Sequence, residues 1–486
     1  MLDAKSYKLV RFAAVVAPIA TIYDSKTRVV SEQVPSFRPT VSSKGLVMNL
    51  IRAFLVCLAL TATAAGAAGQ ATNPAPGAVT GLAQNAPSLP IGTVITAQNW
   101  NQYKEFMPDG MIKLFAGEYS LKIPSDVQME IGPTIIHPLP KGYVEATEKY
   151  SEQVKLVELP DGGITLQGYR GGAPFPNPVE PHKGWKILAN LWYRYLPYLA
   201  VDTHGGGCVT SNGSGTNCQY IIFVDRQLAY VTDPGVPAKT PGSGDAFYAQ
   251  WLMVTDPEQS RYTTTLTVSY EDLSRDEDSY VFLPALRRYQ PISTLARCSP
   301  AHGTDSTQEE YRSGFDSNLT QMKVDFIGEK KILTVMPSEP PAHFPDDFDM
   351  PLGWPKPSWG KWQVRDVDVI SASKLPSHAE GYCYGKRVMY VDKADAAPLW
   401  EDLYDKDLHL WRIYAMFLNP RDVPNVGIVD ASEAMVYAFW DVQNTHATFF
   451  LDPAGGQPFY VNEQAPKDYF DLRRYTEPSG LNLIMR

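Results

Sequence analysis

The strongest constraint on the fold is a succession of short runs with a two-residue period, each closed by a polar turn. In Arg261–Tyr270, RYTTTLTVSY, Tyr262, Thr264, Leu266, Val268 and Tyr270 share one face of a strand, with mainly threonine on the other. Tyr220–Val231 and Phe247–Val254 precede it, bounded by Gly, Pro and Asp turns. The charged stretch Asp272–Asp278 reads as a turn into a return strand at Tyr280–Leu283, which Pro284 interrupts and Arg287–Tyr289 continues. A proline there predicts an edge strand or a bulge. Val324–Met336 reads as a hairpin turning at Gly328-Glu329, and Trp362–Ile370 alternates valine with charge. Lys386–Asp392, Leu399–Tyr404 and Leu408–Phe417 read as a meander, and Met435–Val442 with His446–Leu451 as a further pair. Such spacing predicts a mainly β chain with covering helices (α+β): one large antiparallel sheet, curved or partly closed as an incomplete barrel.

Helical spacing is found at Ala97–Met107, Gly142–Val154, Glu180–Tyr198 and, briefly, Lys467–Tyr475. Lys155–Leu159 and Ile164–Leu166 flank a hairpin turn, Pro160-Asp161-Gly162-Gly163. Gly171–Pro178, GGAPFPNP, is a rigid crossing, and the proline-rich Pro340–Pro357 reads as a lid or a linker.

Residues 48–67 read as a secretory signal peptide: Arg52, an apolar run over Ala53–Ala62, then Ala65-Gly66-Ala67 as the cleavage site. Cys57 lies inside the apolar run, so the pattern is not that of a lipoprotein. Residues 1–47 are expected to be a mis-start or a cleaved extension, 68–92 a flexible leader, 93–475 a single domain and 476–486 a C-terminal tail. No later run reaches the length of a membrane span. Residues 1–67 hold 8 basic and 3 acidic side chains; taken from totals of 43 and 53, they leave 35 and 50, a net charge of −15. An acidic exported chain is a poor partner for nucleic acid or anionic lipid surfaces.

Four cysteines remain after the signal peptide. Cys208 and Cys218 flank a Gly/Ser/Asn loop that bends back on itself and are expected to pair, which leaves Cys298 with Cys383 by default. The alternative is a metal site using His204 with Cys208 and Cys218; the spacing fits no standard zinc pattern, and no metal or cofactor is expected.

Catalytic patterns are sparse. The chain lacks G-x-S-x-G, H-E-x-x-H, a phosphate-cradling loop and a dinucleotide fingerprint. His204-Gly-Gly-Gly has no serine elbow to serve. Asp316, Asp325 and Asp441 with His446 are scattered. Glu401 and Asp402 are adjacent on a strand, so they point to opposite faces.

Three stretches carry a resemblance. Tyr280–Arg288 resembles the signature of a bacterial envelope family, domain of unknown function 1329, often labelled outer-membrane lipoprotein-sorting proteins. Gly171–Pro178 followed by Gly184-Trp185, Asn190 and Arg194 resembles the family's proline box and the helix after it. Arg387–Asp392 with Leu399-Trp400, Leu403–Asp405 and Leu410-Trp411 resembles its paired-strand ending. The match runs over Thr93–Tyr475. The resemblance implies a fold like that of the Lol lipoprotein carriers, with helices closing a curved sheet around an apolar cavity. It also implies a non-catalytic periplasmic shuttle, associated with the outer membrane, for a lipid or other hydrophobic molecule, working with a resistance-nodulation-division transporter and an outer-membrane partner. The Cys208–Cys218 loop and Pro340–Pro357 depart from many members. Candidate cavity-lining residues are Trp185, Trp192, Trp251, Tyr280, Phe282, Trp400 and Trp411, each of which serves equally well as core. The alternatives are an adaptor subunit of an envelope transport complex and, less favoured, a hydrolase, which needs a Ser/His/Asp or metal cluster in one pocket.

Overall fold

The alternating runs become strands of one antiparallel sheet in the computed structural model. It describes residues 89–485 apart from 212–214, 313, 336–342, 344, 418, 432–435, 452, 455 and 456. The expected extension (1–47), signal peptide (48–67) and most of the leader (68–92) lie outside the described residues. In chain order the strands are β1 (Leu199–Ser211), β2 (Gly215–Gln227), β3 (Ala246–Asp256), β4 (Thr264–Tyr270), β5 (Asp278–Leu283), β6 (Arg288–Pro291) and β7 (Met322–Val335). They continue as β8 (Trp362–Lys374), β9 (Lys386–Asp392), β10 (Pro398–Tyr404), β11 (Leu410–Met416), β12 (Val436–Asp441), β13 (His446–Leu451) and β14 (Phe459–Val461). Across the sheet the order is β6-β5-β4-β3-β2-β1-β13-β12-β11-β10-β9-β8-β7, with β14 paired to the start of β1. The path ends on different strands, so the sheet is open and not a closed barrel.

Several elements depart from the expectation for local reasons. Val324–Met336 is no hairpin: β7 pairs with β8 throughout, and Gly328 lies at a bulge instead of a turn. Pro284–Leu286 does not interrupt a strand. It forms one 3-10 turn, Arg287 takes a left-handed backbone (φ 50°), and β6 folds back along β5. Strand β1 falls where His204-Gly-Gly-Gly hides its pattern, since glycine carries no strand signal. Gly207 is required there, because a Cβ would lie 2.4 Å from the Phe450 ring. The Ala97–Met107 helix is a 3-10 helix (Trp100–Phe106), followed by α1 (Asp109–Ala116). Gly142–Val154 becomes α2 (Lys141–Tyr150) and a 3-10 turn. Glu180–Tyr198 narrows to α3 (Lys183–Trp192), which packs closely on β7; a Cβ at Gly184 would lie 2.8 Å from the backbone at Asp325 and Phe326. The terminal helix splits into a 3-10 turn (Lys467–Phe470) and one α turn (Arg473–Thr476). The tail is not loose: Pro478–Met485 is a 3-10 helix, and Leu481 packs in a core with Trp251, Phe282 and Tyr475.

Both faces of the β9–β13 half of the sheet are covered. Alternation puts Trp400 and Asp402 on one face and Glu401 and Leu403 on the other. On the first face Trp354 stacks with Trp362 (5.7 Å) and Trp440 (5.5 Å), and Trp440 with Trp400 (5.9 Å). The indole N–H groups of Trp400 and Trp440 donate to Leu333 O (3.1 Å) and Leu352 O (2.7 Å). Leu352 and Trp354 belong to the stretch read as a lid or linker. Its described part is neither: Phe348–Asp349 pairs with Trp354–Pro355, and Phe348, Leu352, Trp354 and Trp359 enter the core.

The sheet edges are blunted. Ile292 N–H donates to Ser279 O, so residues 289 and 291 of β6 turn outward, and Pro291 has no amide to offer. Strand β7 carries the bulge and the exposed charges Lys323, Asp325 and Glu329.

Candidate functional site

The second face carries a segment that no periodicity marks, a strap running from Cys298 to Gln321. Thr304, Asp305, Ser306, Thr307, Glu309, Glu310, Arg312, Asp316 and Ser317 are polar, yet none is more than 6% exposed. The strap crosses a row of facing residues, Glu401 on β10, Tyr414 on β11, Phe439 on β12 and Thr448 on β13, aligned by the ladder register. At one end Arg387 of β9 donates to Gly314 O (2.7 Å) and Glu309 O (3.3 Å) and pairs with Glu401 (2.9 Å) and Glu310 (3.5 Å). At the other, Asp305 N–H donates to Thr448 Oγ1 (2.9 Å), whose hydroxyl donates to the Asp305 carboxylate (2.9 Å). Arg297 holds Glu309 (2.7 Å), Asp316 (3.7 Å) and Glu277. Glu310 accepts from Thr307 N–H and Oγ1 (2.8 Å each), a capping box that shapes the turn.

The electrostatics are those of charges kept out of water. Burial raises Asp316 to about 8 against the pull of Arg297, and Glu401 to about 7 against Arg387. Burial also acts on Glu309, but Arg297, Lys374 and Arg387 outweigh it and hold that carboxyl down to about 2. Burial lowers Lys374 to about 8.

Both disulfides form as expected. Cys208 and Cys218 face each other across β1 and β2, and Cys298–Cys383 moors the strap to the loop before β9. The metal alternative is overturned: both sulfurs are bonded, and His204 stacks on Tyr220 (4.6 Å).

The seven cavity candidates are not gathered around one void. Trp400 sits in the tryptophan face. Trp185 donates to Leu319 O (3.2 Å), and Trp192 packs edge-on to Phe315 (6.3 Å). Trp251 and Phe282, with half-buried Tyr280, pack under the C-terminal segment. Half-buried Trp411 donates to Asp441 (2.9 Å). The Phe348–Trp359 insertion and the C-terminal 3-10 helix supply packing partners for Trp400, Trp251 and Phe282. His446 meets Asp305 (3.2 Å), an acid outside the set named from sequence, and faces Asp441 across β12 and β13, beside Ser211 in a pocket of about 330 Å³. An open hollow of about 580 Å³ is lined by Lys113, Tyr119, Tyr404 and His409 among others.

The profile of DUF1329, described as a protein of unknown function, matches residues 94–479. The chain belongs to the DUF1329 family. The match spans all fourteen sheet strands and the strap. Among solved structures, the DUF1329 chain resembles an outer membrane lipoprotein-sorting protein domain from Vibrio parahaemolyticus (14% identity, 60% of this chain and 97% of that one, TM-score 0.41). It resembles a DUF1329 protein from Desulfovibrio piger (13%, 60% and 96%, TM-score 0.41) and a LolA superfamily protein from Nitrosomonas europaea (9%, 59% and 96%, TM-score 0.35). The comparison with curated proteins finds no match. No described helix of this DUF1329 protein is long and apolar enough to cross a membrane.

Sequence reasoning placed Arg387 in a family motif without a role and passed over Arg312, Glu309 and Glu310. A run of charge without period reads as solvated loop; only its position between two cysteine-bearing stretches hinted at confinement.

Proposed function

We propose that this DUF1329 protein is a non-catalytic periplasmic carrier of a lipid or similar hydrophobic molecule, passing cargo between an envelope transporter and the outer membrane. In the empty state the strap occupies the cargo space, bordered by Trp185 and Trp192 of α3. The strap's composition carries the reading. Polar side chains within residues 304–317 are buried, Glu309 and Glu310 are held only by ion pairs or turn bonds, and Ser317 Oγ has no hydrogen-bond partner among the described residues. Such groups are poor permanent filler, because each regains water on leaving. The surface beneath is aromatic: Tyr414 lies 5.9 Å from Phe439 and 5.5 Å from Tyr437, which stacks on Phe450 (4.7 Å). A lipid chain laid there gains roughly 0.8 kcal/mol per CH₂, which is set against the strap contacts of Arg387 and Thr448 that the exchange breaks. The test is native mass spectrometry of protein taken from its own envelope, with amide exchange of residues 299–321. A bound lipophile with lowered strap protection is expected. Protein that stays empty when offered envelope lipids, with its strap fully protected, removes the carrier reading.

A second reading rests on the pocket at His446. Its Nδ1 is paired with Asp305, and Ser211 is its partner across β1 and β13. This register puts a serine, a histidine and an acid side by side, the residue types an acyl-transfer site uses. Labelling of Ser211 by a fluorophosphonate, lost in H446A, supports it; an unlabelled native protein eliminates it.

A further inference from the structure

Arg312 is a buried cation whose guanidinium makes no hydrogen bond among the described residues. It is 1% exposed, and this holds for Nε, Nη1 and Nη2 alike. The guanidinium lies 4.3 Å from the Trp192 ring, 4.8 Å from Tyr248 and 5.1 Å from Phe247. Aromatic faces stabilise the cation but accept none of its five N–H groups in good geometry. The backbone is left-handed at this arginine (φ 55°), a conformation that disfavours any residue with a Cβ. Asp225 and Asp316 act on Arg312 only through space. The first is engaged by Tyr248 and Gln250, the second by Arg297.

The surroundings share the deficit. Trp192 Nε1 and Ser317 Oγ are also buried and have no hydrogen-bond partner among the described residues. Both residues line a crevice between the β4–β5 turn and residues 316–319, whose free space of about 30 Å³ suits roughly two water-sized groups. Of the three carboxylates along the crevice, Glu277 pairs with Arg297, Asp272 accepts from Ser274 N–H and Oγ, and Asp316 lies 3.7 Å from Arg297. Donors without acceptors therefore cluster where acidic rim charge is spent.

We propose that Arg312 and Trp192 form a binding site for an oxyanion, a carboxylate or phosphate group, admitted through this crevice. Two oxygens take the guanidinium fork side by side, as planar oxyanions do, and the indole N–H completes the shell. The group belongs either to a free small anion or to the head of an amphiphile. The site stands apart from the carrier reading, because it needs no apolar cargo.

The intact protein, in a zwitterionic buffer free of oxyanions, is titrated with inorganic phosphate, dodecyl phosphate, dodecanoate and dodecanol, following tryptophan emission and Tm. The native chain is expected to respond to the three anions, with dodecanol at least tenfold weaker than dodecanoate. Arg312→Met is expected to match or exceed native Tm without anion, since it removes an unpaired buried charge, and to bind anions at least tenfold more weakly. Trp192→Phe keeps the stack and loses the N–H, giving an intermediate affinity. Equal response to phosphate and dodecyl phosphate marks a free-anion site; a tenfold gain from the chain marks a headgroup site. If no anion binds, or Arg312→Met lowers Tm equally with and without anion, the oxyanion site is overturned. Equal binding of dodecanol and dodecanoate overturns it while leaving the carrier reading intact.

Discussion

Asp402 accepts from Gly110 N–H (3.1 Å) and Tyr390 Oη (3.3 Å), tying the start of α1 to the sheet. Burial, with Asp109 nearby, lifts its carboxyl from 3.8 to about 7. The folded state therefore holds a proton that the unfolded chain has released, and the contribution is full below about pH 4 and lost as pH rises through about 7. Asp402→Asn keeps an acceptor and cannot ionise. We expect a flatter stability profile between pH 4 and 7, and a gain on the order of 1–3 kcal/mol at pH 8, read from urea melts at several pH values. Its neighbour Glu401 meets Arg387 on the opposite face, as strand alternation requires. That alternation was legible in the sequence. The partners were not: Arg387 and Tyr390 lie on the next strand, where the pairing depends on register, and Gly110 lies 292 residues away.

At the scale of elements, the two disulfides close loops of very different length, with separations of 10 and 85 residues. Chain entropy assigns about 2–3 kcal/mol to the short loop and about 4–5 kcal/mol to the long one. We expect the Cys298→Ser/Cys383→Ser pair to lose more stability than Cys208→Ser/Cys218→Ser, and to lose amide protection in residues 299–321 before the sheet does. Exchange rates that rise uniformly in the first pair would refute a strap that opens independently. The meander β9–β11 was readable because valine, aromatic and charge alternate around a polar turn. Strand β1 was not, since three glycines break the alternation, and the strap was not, since buried ion pairs leave no periodic trace. The Phe348–Trp359 insertion misled because proline content signals irregular backbone but says nothing about burial.

For the whole molecule, a single open sheet is the dominant object, and its two ends decide whether copies add to it. At one end Pro291 withholds an amide, so Pro291→Val restores a donor and a strong strand former. Static light scattering at rising concentration should show more association for this variant than for the native chain; identical curves would mean that the β6 edge is protected by something else. The open antiparallel architecture followed from the spacing of strands and turns. What the spacing omitted was the covering of both faces, which depends on two long-range segments, one carrying its own tryptophans and the other buried charges.

The strap is fastened at both ends, by Cys298–Cys383 and by its run into β7. A segment held in this way competes with any incoming molecule at an effective concentration in the millimolar range. Dilution never weakens that rival. Weak binders are turned away however abundant they are below that level, and a bound molecule is expelled without a collision once its hold loosens. The mooring thus sets a threshold of affinity for whatever the sheet receives.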